Sequence, residues 1–341
     1  MRAAFYYNNN DVRVQEVATP RIGNGELLVK IEASGICGSD VMEWYRIKKA
    51  PLVLGHEIAG TIVEAGADVK RFKAGDRVTV AHHVPCNTCR FCLAGNHSVC
   101  DTLRATNFDP GGFAEFVRVP SINVDRGVFK LPDAMTFDEG TFSEPLGCVV
   151  RGLRAAGMEP GKTVLVIGSG MAGLLNIRLA KALGAGLVVA TDINGFRLEA
   201  AKRSGADTVL KADSDVPALV KEALGGRLAD IVVICAAVDP AIAQGLKSVE
   251  RGGTVLFFAP KEPGAAYPMP LFELWRDNIT IVNSYAAPPS DTLVALDLIE
   301  SGRVKVADLV THRLPLKDIQ EGFRLAAGAG ESIKVVIEPH R

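Results

Sequence analysis

Residues 162–192 read KTVLVIGSGMAGLLNIRLAKALGAGLVVATD, and this stretch decides the fold of the chain. Residues 163–167 are a short β-branched apolar run, and a glycine-rich segment at 168–173 follows it directly. Apolar side chains then recur at helical spacing, at Leu174, Ile177, Leu179 and Leu183. This order predicts a strand, a tight turn and a helix.

The turn has the pattern G-x-G-x-x-G, in which each glycine has its own geometric reason. Gly168 permits the tight bend, Gly170 lets the backbone approach a pyrophosphate, and Gly173 lets the helix pack closely on the strand. Met171 and Ala172 begin the helix, whose N-terminal partial positive charge favours phosphate. Glycine-rich turns also occur for purely geometric reasons, but this context predicts a dinucleotide site.

A second apolar run, at residues 187–191, ends in Asp192, about 20 residues after the glycines. An acidic side chain at this place can accept hydrogen bonds from both ribose hydroxyls. Its carboxylate would repel a 2′-phosphate, so the sequence favours NAD over NADP. Arg197 follows closely enough to offer the cofactor a positive charge, which leaves room for some binding of NADP.

The opening stretch begins a longer alternation of strands and helices that runs to about residue 285. Further strands are predicted at 208–210, 230–235, 254–258 and 279–283. Helices are predicted between them, around 196–202, 216–224, 241–249 and 271–276. Six strands with crossover helices are typical of a doubly wound parallel sheet in an α/β fold, with the ligand crevice at the carboxyl ends of the strands.

The sequence on either side of this alternation is richer in strands. Short strand signals separated by glycine and proline occur at 27–31, 58–64, 77–80 and 113–119. After residue 286, an amphipathic helix is predicted, followed by strands at 309–314 and 334–337. We therefore expect a mostly β domain at 1–150, the parallel sheet at 151–286, and a segment at 287–341 that returns to the first domain.

Composition narrows the partners of the chain. Its 341 residues carry a formal net charge of -1 at pH 7, so we expect no basic surface for nucleic acid or for an anionic membrane. No apolar run approaches the roughly 18 residues of a membrane span. Residues 1–5 lack the apolar core of a signal peptide. These features predict a cytoplasmic protein.

Four of the seven cysteines form a cysteine quartet, made of Cys86, Cys89, Cys92 and Cys100. Thiolates at this spacing can surround one tetrahedral zinc ion and fill all four of its positions. In a reducing compartment such a cluster favours metal over disulfides. The sequence therefore predicts a structural zinc site that holds a loop together and does not touch substrate.

Further short motifs occur in a recognisable order along the chain. They are GICGSD at 35–40, GHE at 55–57, GDRV at 75–78, GGFAE at 111–115, SEPLG at 143–147 and THR at 311–313. With the cysteine quartet and the glycine-rich turn, they make the chain resemble the zinc-dependent medium-chain dehydrogenase/reductase family of alcohol, polyol (sorbitol) and threonine dehydrogenases. The glutamate of SEPLG resembles the polyol branch. The resemblance implies a Rossmann NAD-binding domain and a mostly β, GroES-like catalytic domain.

The resemblance also implies a second, catalytic zinc. Cys37, His56 and Glu144 stand where the family places its three protein ligands, which leave the fourth position open. Glu57 is the neighbouring carboxylate that can approach the metal in relatives, and Asp40 is expected to hydrogen-bond the imidazole of His56. Two zinc ions per chain are therefore expected. Taken singly, a cysteine or histidine in these loops also suits packing and turn chemistry.

The implied chemistry joins the metal to the cofactor. Zinc lowers the pKa of an alcohol proton toward neutrality, and the nicotinamide takes the carbinol hydride. Ser39 is expected to receive the alcohol proton. Two positions depart from the family pattern: Met42 replaces the histidine that ends the proton relay in relatives, and Arg151 stands where the polyol branch commonly has histidine. Arg151 is expected either to bind an anion or to pair with a carboxylate.

The favoured function is a reversible, zinc- and NAD-dependent oxidation of a secondary alcohol on a polyol, sugar or cyclitol. The first alternative is a dehydrogenase of a hydroxy or amino acid such as L-threonine, in which Arg151 holds the carboxylate, although Met42 counts against threonine. The second is a dinucleotide-binding relative without catalysis. The retained metal ligands argue against that reading.

Substrate contacts and assembly follow less directly from the sequence. Trp44, Phe108 and Tyr285, together with Arg151, are candidates for lining the substrate pocket, although aromatic side chains at such positions are as often core. Relatives associate through the last strand of the nucleotide domain, here residues 279–283, as dimers or tetramers. We expect a homotetramer.

Overall fold

The computed structural model describes residues 1–328 and 330–341 and divides them into two units. The first unit comprises Met1–Gly147 and Ala286–Arg341, and the second comprises Cys148–Tyr285. The junctions predicted from the sequence, 150/151 and 286/287, lie close to these. The first differs because one helix continues across it, so the sequence has no break there to mark the change of unit.

The first unit is built mainly of strands joined by short helices. Its strands before the first junction are β1 (Arg2–Asn8), β2 (Asp11–Glu16), β3 (Leu27–Gly35), β4 (Leu52–Val53), β5 (Glu57–Ala65), β6 (Arg77–Val80), β7 (Phe116–Val119) and β8 (Val128–Lys130). Its helices are α1 (Glu43–Arg46), α2 (Arg90–Leu93), α3 (Asp101–Ala105), α4 (Ser121–Arg126), α5 (Phe137–Gly140) and α6 (Ser143–Ala155), which crosses the junction.

The second unit alternates strand and helix throughout. Its strands are β9 (Thr163–Ile167), β10 (Leu187–Asp192), β11 (Thr208–Lys211), β12 (Ala229–Ile234), β13 (Val249–Phe257) and β14 (Thr280–Asn283). Its helices are α7 (Met171–Ala182), α8 (Gly195–Arg203), α9 (Val216–Ala223), α10 (Asp239–Lys247) and α11 (Leu271–Arg276). The chain then re-enters the first unit with α12 (Pro289–Glu300), β15 (Val310–Pro315), α13 (Ile319–Gly328) and β16 (Lys334–Glu338).

The strands of the second unit form a parallel sheet in the order β11-β10-β9-β12-β13-β14. The chain starts in the middle at β9, moves outward to one edge, returns past β9 and continues to the other edge. The order therefore reverses between β9 and β12, and a doubly wound sheet binds its ligand beside the carboxyl ends of those strands. Every residue of β9 is buried, as expected of a strand covered on both faces. The predicted α/β fold class is confirmed.

The main sheet of the first unit runs β15-β16-β3-β5-β6-β8, and β7 also pairs with β3. The C-terminal segment joins this sheet through β16, whose Val336 lies opposite Gly35 of β3. A smaller sheet has the order β2-β1-β4. The β3–β5 pair is antiparallel and places Gly35 opposite Glu57. The loop after β3 and the loop before β5 therefore meet at one end of the sheet.

The sequence did not predict the hairpin of β1 and β2, although a signal was present. Val12 and Val14 alternate with polar residues along β2, and the run Asn8-Asn9-Asn10 suits a turn. The strand predicted at 113–119 begins only at Phe116. Within the part of the chain that the structure describes, none of the helices has the length and apolar character needed to cross a lipid bilayer.

Candidate active site and metal centres

Three metal-ligand side chains meet where β3 ends and β5 begins. Cys37 lies just beyond the end of β3, His56 just before β5, and Glu57 is the first residue of β5. Because the two strands pair, a ligand atom from each of the three side chains lies within 4.8 Å of the others. We call these three residues the mixed cluster. A thiolate, an imidazole and a carboxylate form a donor set that zinc accepts.

The residues after Cys37 hold its loop in a single turn of 3-10 helix at Gly38–Asp40. The backbone N–H of Cys37 donates to Oδ2 of Asp40 at 3.1 Å, and the N–H of Ser39 donates to the Cys37 sulfur at 3.4 Å. Asp40 is fully buried, and its Oδ1 lies 3.4 Å from Nδ1 of His56. A carboxylate on Nδ1 turns the other ring nitrogen, Nε2, toward a metal.

The same contacts set the charge of the metal-free site. Burial alone would lower the pKa of His56, but the negative charges of Asp40 and Cys37 outweigh it and raise that pKa well above its ordinary value. Burial would raise the pKa of Asp40, yet the imidazolium of His56, with Arg46, holds it below the usual range. A metal ion that binds His56 would therefore compete with a proton for the imidazole.

The third member of the cluster is Glu57, whose two carboxylate oxygens have different surroundings. One oxygen, Oε2, forms an ion pair with Lys334 of β16, and both side chains are fully buried. The ammonium of Lys334 also lies 3.4 Å from the carbonyl oxygen of Ile36. Among the described residues, no donor reaches the other oxygen of Glu57, Oε1, which is buried. An orphaned carboxylate oxygen beside a thiol and an imidazole fits a metal ligand.

Glu144, the third zinc ligand expected from the sequence, is the second residue of α6 and is partly buried. The preceding Ser143 is buried, and its Oγ lies within hydrogen-bond distance of Oγ1 of Thr79 on β6, at 2.8 Å. This contact fixes the start of α6 against the main sheet. The structure assembles the mixed cluster with Glu57 as its carboxylate, and the ligand role of Glu144 stays a prediction.

Two histidines that the sequence interpretation missed stand beside His56. The ring of His82 lies 4.7 Å from that of His56, and the ring of His83 lies 3.8 Å from that of His82. Burial, reinforced by neighbouring positive charges, lowers the pKa of His83 to about 4 and that of His82 well below its ordinary value. Both are neutral near pH 7. The sequence signal that could have found them is their position just after β6, because β6 pairs with β5 and His56 immediately precedes β5.

The cysteine quartet has the geometry of a closed zinc site. The sulfur atoms of Cys86 and Cys92, Cys89 and Cys92, and Cys100 and Cys86 lie 3.9, 3.5 and 3.6 Å apart. Sulfur atoms at about 2.3 Å from one tetrahedral ion would be about 3.8 Å from each other. Backbone N–H groups of Thr88 and Cys89 donate to the Cys86 sulfur. The observed separations fit zinc.

The glycine-rich turn in the second unit has the geometry that the sequence predicts. Gly168 has φ +92°, and a Cβ on Gly173 would lie 1.9 Å from the carbonyl oxygen of Gly168, so only glycine fits there. A Cβ on Gly170 would meet no atom closer than Nη1 of Arg197 at 3.7 Å. Among the residues that the structure describes, no side chain caps the N-terminus of α7, which begins at Met171. The turn leaves room and backbone donors for a phosphate.

Asp192 ends β10 beside this turn. Its Oδ2 accepts a hydrogen bond from the backbone N–H of Ser169 at 2.8 Å, and its Oδ1 accepts one from the N–H of Asn194 at 2.9 Å. The residue is 6% exposed. Asp192 therefore stabilises the turn itself, a role that the sequence interpretation did not include, and its ribose contact stays a prediction.

The residues suggested for substrate contact are spread over both units. Trp44 is partly buried on α1, and Arg151 is partly buried on α6. Phe108 is 2% exposed within an apolar core cluster of the first unit, 6.4 Å from the ring of His82. Tyr285 is 45% exposed. Core packing accounts for Phe108, and the other three stay predictions.

Comparison with known proteins agrees with this arrangement. The family model described as alcohol dehydrogenase GroES-like domain matches residues 23–133, and the one described as zinc-binding dehydrogenase matches residues 172–301. Sorbitol dehydrogenase of Gallus gallus is 33% identical over 98% of this chain and 96% of its own length. L-threonine 3-dehydrogenase of Bacillus velezensis is 34% identical over 96% of this chain and 95% of its own length.

A solved structure gives the same picture of the fold. It is described as a zinc-binding dehydrogenase from Sinorhizobium meliloti 1021 bound to NADP, and it matches 99% of both chains with a TM-score of 0.89 and 29% identity. The sequence relatives span nearly the whole chain at more than 30% identity, and their names include a polyol dehydrogenase. This chain belongs to the zinc-dependent medium-chain dehydrogenase family that includes the polyol dehydrogenases.

Proposed function

We propose that this chain oxidises a secondary alcohol of a polyol, sugar or cyclitol to a ketone, reversibly, with zinc and NAD. The observation that carries the proposal is the mixed cluster, because it joins a thiol, an imidazole held by a buried carboxylate, and a carboxylate with one orphaned oxygen. A chain of this family that retains such a cluster has the groups that a catalytic zinc requires.

Cys37 and His56 would hold the catalytic zinc, with Glu144 or Glu57 as the third ligand. Bound zinc supplies Lewis acidity that lowers the pKa of an alcohol proton. Asp40 holds His56 in one orientation. Ser39 offers a hydroxyl oxygen beside the cluster that would take the alcohol proton and release its own hydroxyl proton to water. The ion pair with Lys334 holds one oxygen of Glu57 away from a metal and leaves the other available.

Two alanine variants distinguish the third ligand. Glu144→Ala should abolish turnover and leave one zinc per chain in the cysteine quartet, if Glu144 is a ligand of the catalytic zinc. Glu57→Ala serves as the matched carboxylate deletion. Metal content by atomic emission and initial rates should be measured together. Full activity in Glu144→Ala, with loss of zinc in Glu57→Ala, would transfer the ligand role to Glu57.

We propose NAD as the preferred cofactor because Asp192 ends β10 beside the glycine-rich turn, where its carboxylate would repel a 2′-phosphate. The neighbour from Sinorhizobium meliloti binds NADP, and Arg197 stands near Gly170, so the preference rests on Asp192 alone. Replacing Asp192 by glycine should relax the preference toward NADP. An unchanged ratio of kcat/KM for the two dinucleotides would show that other groups decide it.

The reaction class is tested by following the reduction of NAD and NADP through the absorbance of the reduced nicotinamide. The panel should contain polyols, cyclitols, simple secondary alcohols and L-threonine. We expect reduction of NAD with polyols or cyclitols. Absence of any reduction, in protein that holds two zinc ions per chain, would contradict the substrate class.

A hydroxy or amino acid such as L-threonine is the second candidate substrate. Its support is the threonine dehydrogenase relative together with Arg151, whose guanidinium could hold a carboxylate. In that case Arg151→Met should raise KM for the acid far more than KM for an uncharged alcohol. Equal effects on both substrates would exclude this role of Arg151.

We further propose a homotetramer or homodimer formed through β14. Its support is the position of β14 at the edge of the parallel sheet and the exposure of Phe272 and Trp275 on α11, at 60% and 78%. Light scattering of the purified chain would give its molecular mass and therefore the number of subunits. A cytoplasmic location stays a prediction from the sequence, which shows neither an apolar run of membrane-span length nor the apolar core of a signal peptide in residues 1–5.

A further inference from the structure

Arg46 ends the one-turn helix α1 and turns back over the loop that follows Cys37. Its Nη2 donates to Oγ of Ser39 at 2.8 Å, and its Nε donates to the carbonyl oxygen of Ser39 at 2.9 Å. Nη2 also lies 3.5 Å from Oδ1 of Asp40. The side chain is only 16% exposed. One guanidinium thus binds both the backbone and the hydroxyl of Ser39.

These contacts restrict what the hydroxyl of Ser39 can do. A serine hydroxyl has one hydrogen to donate and two lone pairs to accept, whereas a guanidinium only donates and does not lose its proton in proteins. Arg46 therefore occupies one lone pair of Ser39 permanently. The hydroxyl hydrogen must point away from Arg46, and a single lone pair is left for an incoming alcohol.

The same guanidinium also touches the group that orients His56. Oδ1 of Asp40 faces Nη2 of Arg46 at 3.5 Å and Nδ1 of His56 at 3.4 Å, in a fully buried position. A buried carboxylate with two cationic or donating neighbours is held more firmly than one with a single neighbour. Arg46 therefore links the predicted proton acceptor to the support of a metal ligand.

We propose that Arg46 is a positioning residue that holds Asp40 against His56 and fixes the hydroxyl of Ser39, so that Ser39 takes the alcohol proton while its own hydroxyl proton passes to water. The Ser39 part rests on the proposed function, whereas the Asp40 part requires only that the mixed cluster binds zinc. Met42 stands where relatives have the histidine that ends the proton relay. Arg46 does not replace that histidine as a proton acceptor, because a guanidinium has no lone pair to offer.

The test compares Arg46→Met and Arg46→Lys with a control that removes the same charge from the same loop. Lys48→Met is that control, because Lys48 is exposed and close in sequence. Each variant is also made with Ser39→Ala. The measurements are kcat and KM for the alcohol, and the dissociation constant for zinc at the mixed cluster in competition with a chelator. Circular dichroism checks that each variant is folded.

We expect Arg46→Met to lower kcat about 10- to 100-fold with little change in KM, and to weaken zinc binding by about 10-fold. In the Ser39→Ala background the same change should lower kcat by less than about threefold, because the two residues act as a unit. Arg46→Lys should recover part of the loss, since lysine donates but lacks the planar fork. Lys48→Met should leave both quantities unchanged.

Three outcomes would overturn the proposal. The first is that Arg46→Met lowers kcat by the same factor with Ser39 present as in the Ser39→Ala background. The second is that Lys48→Met lowers kcat as much as Arg46→Met does. The third is that Arg46→Met leaves the dissociation constant for zinc unchanged. If the unaltered chain oxidises no alcohol of the panel, the proposed function has failed, and zinc affinity alone decides the role of Arg46. Weaker zinc binding in Arg46→Met would then still support the link to Asp40.

Discussion

The cysteine quartet and the mixed cluster are built in opposite ways. The quartet takes its four sulfur atoms from one loop, with Cys86 and Cys100 only 14 positions apart, and backbone N–H groups support its thiols. The mixed cluster takes its candidate ligands from the neighbouring ends of two paired strands and surrounds them with buried charges from Asp40 and Lys334. The quartet needs only a local fold, whereas the mixed cluster needs the whole first unit.

This difference is the one expected between a structural metal site and a catalytic metal site. Four thiolates fill every position of a tetrahedral zinc and leave none for substrate. The mixed cluster has fewer protein ligands, and the partners of those ligands set their orientation and charge. The following four predictions test this contrast, starting with the largest expected effect.

Removing the imidazole of the mixed cluster should abolish activity without affecting the quartet. His56→Ala deletes a proposed ligand of the catalytic zinc, whose Lewis acidity would be worth several kcal/mol, so kcat/KM should fall by about a thousandfold or more. One zinc per chain should remain. Cys92→Ser is the reciprocal change, and it should remove the quartet zinc. Retention of activity in His56→Ala would place the chemistry elsewhere.

Lys334→Met should destabilise the first unit, because it leaves the carboxylate of Glu57 buried without its cation. Breaking a buried ion pair on one side costs about 3 kcal/mol or more. Both side chains are fully buried, so solvent cannot compensate. The free energy of unfolding, measured by urea denaturation of metal-free protein, should fall by that amount. Adding Glu57→Gln should restore most of it, and no restoration would refute the pairing.

Asp40→Asn keeps the shape of the loop but removes the charge that faces His56. A change of the group behind a metal ligand usually costs about 10- to 100-fold in metal affinity or activity. The pKa of His56 should fall in the metal-free variant, because the charge of Asp40 is a main reason for its elevation. NMR titration of the histidine ring gives that pKa. A value equal to that of the unaltered chain would contradict the contact.

Zinc binding to the quartet should strengthen as pH rises from 6 to 8. Burial raises the pKa of Cys92 to about 12, so this thiol must lose a proton when zinc binds. Hydrogen bonds from Thr88 and Cys89 lower the pKa of Cys86 to about 5, so that thiolate is already formed. The affinity should therefore rise about tenfold per pH unit for each proton released. A pH-independent affinity would show that all four thiols are deprotonated beforehand.

The features that could be predicted from the sequence are those encoded within short stretches. The cysteine quartet and the glycine-rich turn each lie in one loop, and the alternation after residue 150 sufficed for the parallel sheet. The resemblance supplied Cys37 and His56. The hairpin of β1 and β2 was missed although its alternating valines were visible.

Other features depend on chain segments that only the folded structure brings together. Glu57 and Lys334 are 277 positions apart, and no local pattern marks them as partners. Arg46 is close to Ser39 in sequence, but its contact depends on a one-turn helix that bends back over the loop. His82 reaches His56 only because β5 and β6 pair. Apart from Asp40 and Glu57, which the resemblance supplied, the buried charges and their pairings are therefore the part of this site that sequence patterns do not reveal.

The most direct test of the account is a stepwise chelation of the purified chain with zinc content and dehydrogenase activity measured at each step. We expect two zinc ions per chain at the start. Loss of one ion, with the quartet still occupied, should remove activity, and added zinc should restore it. Activity that persists after the mixed cluster has lost its metal would contradict the central claim that this cluster is the catalytic centre.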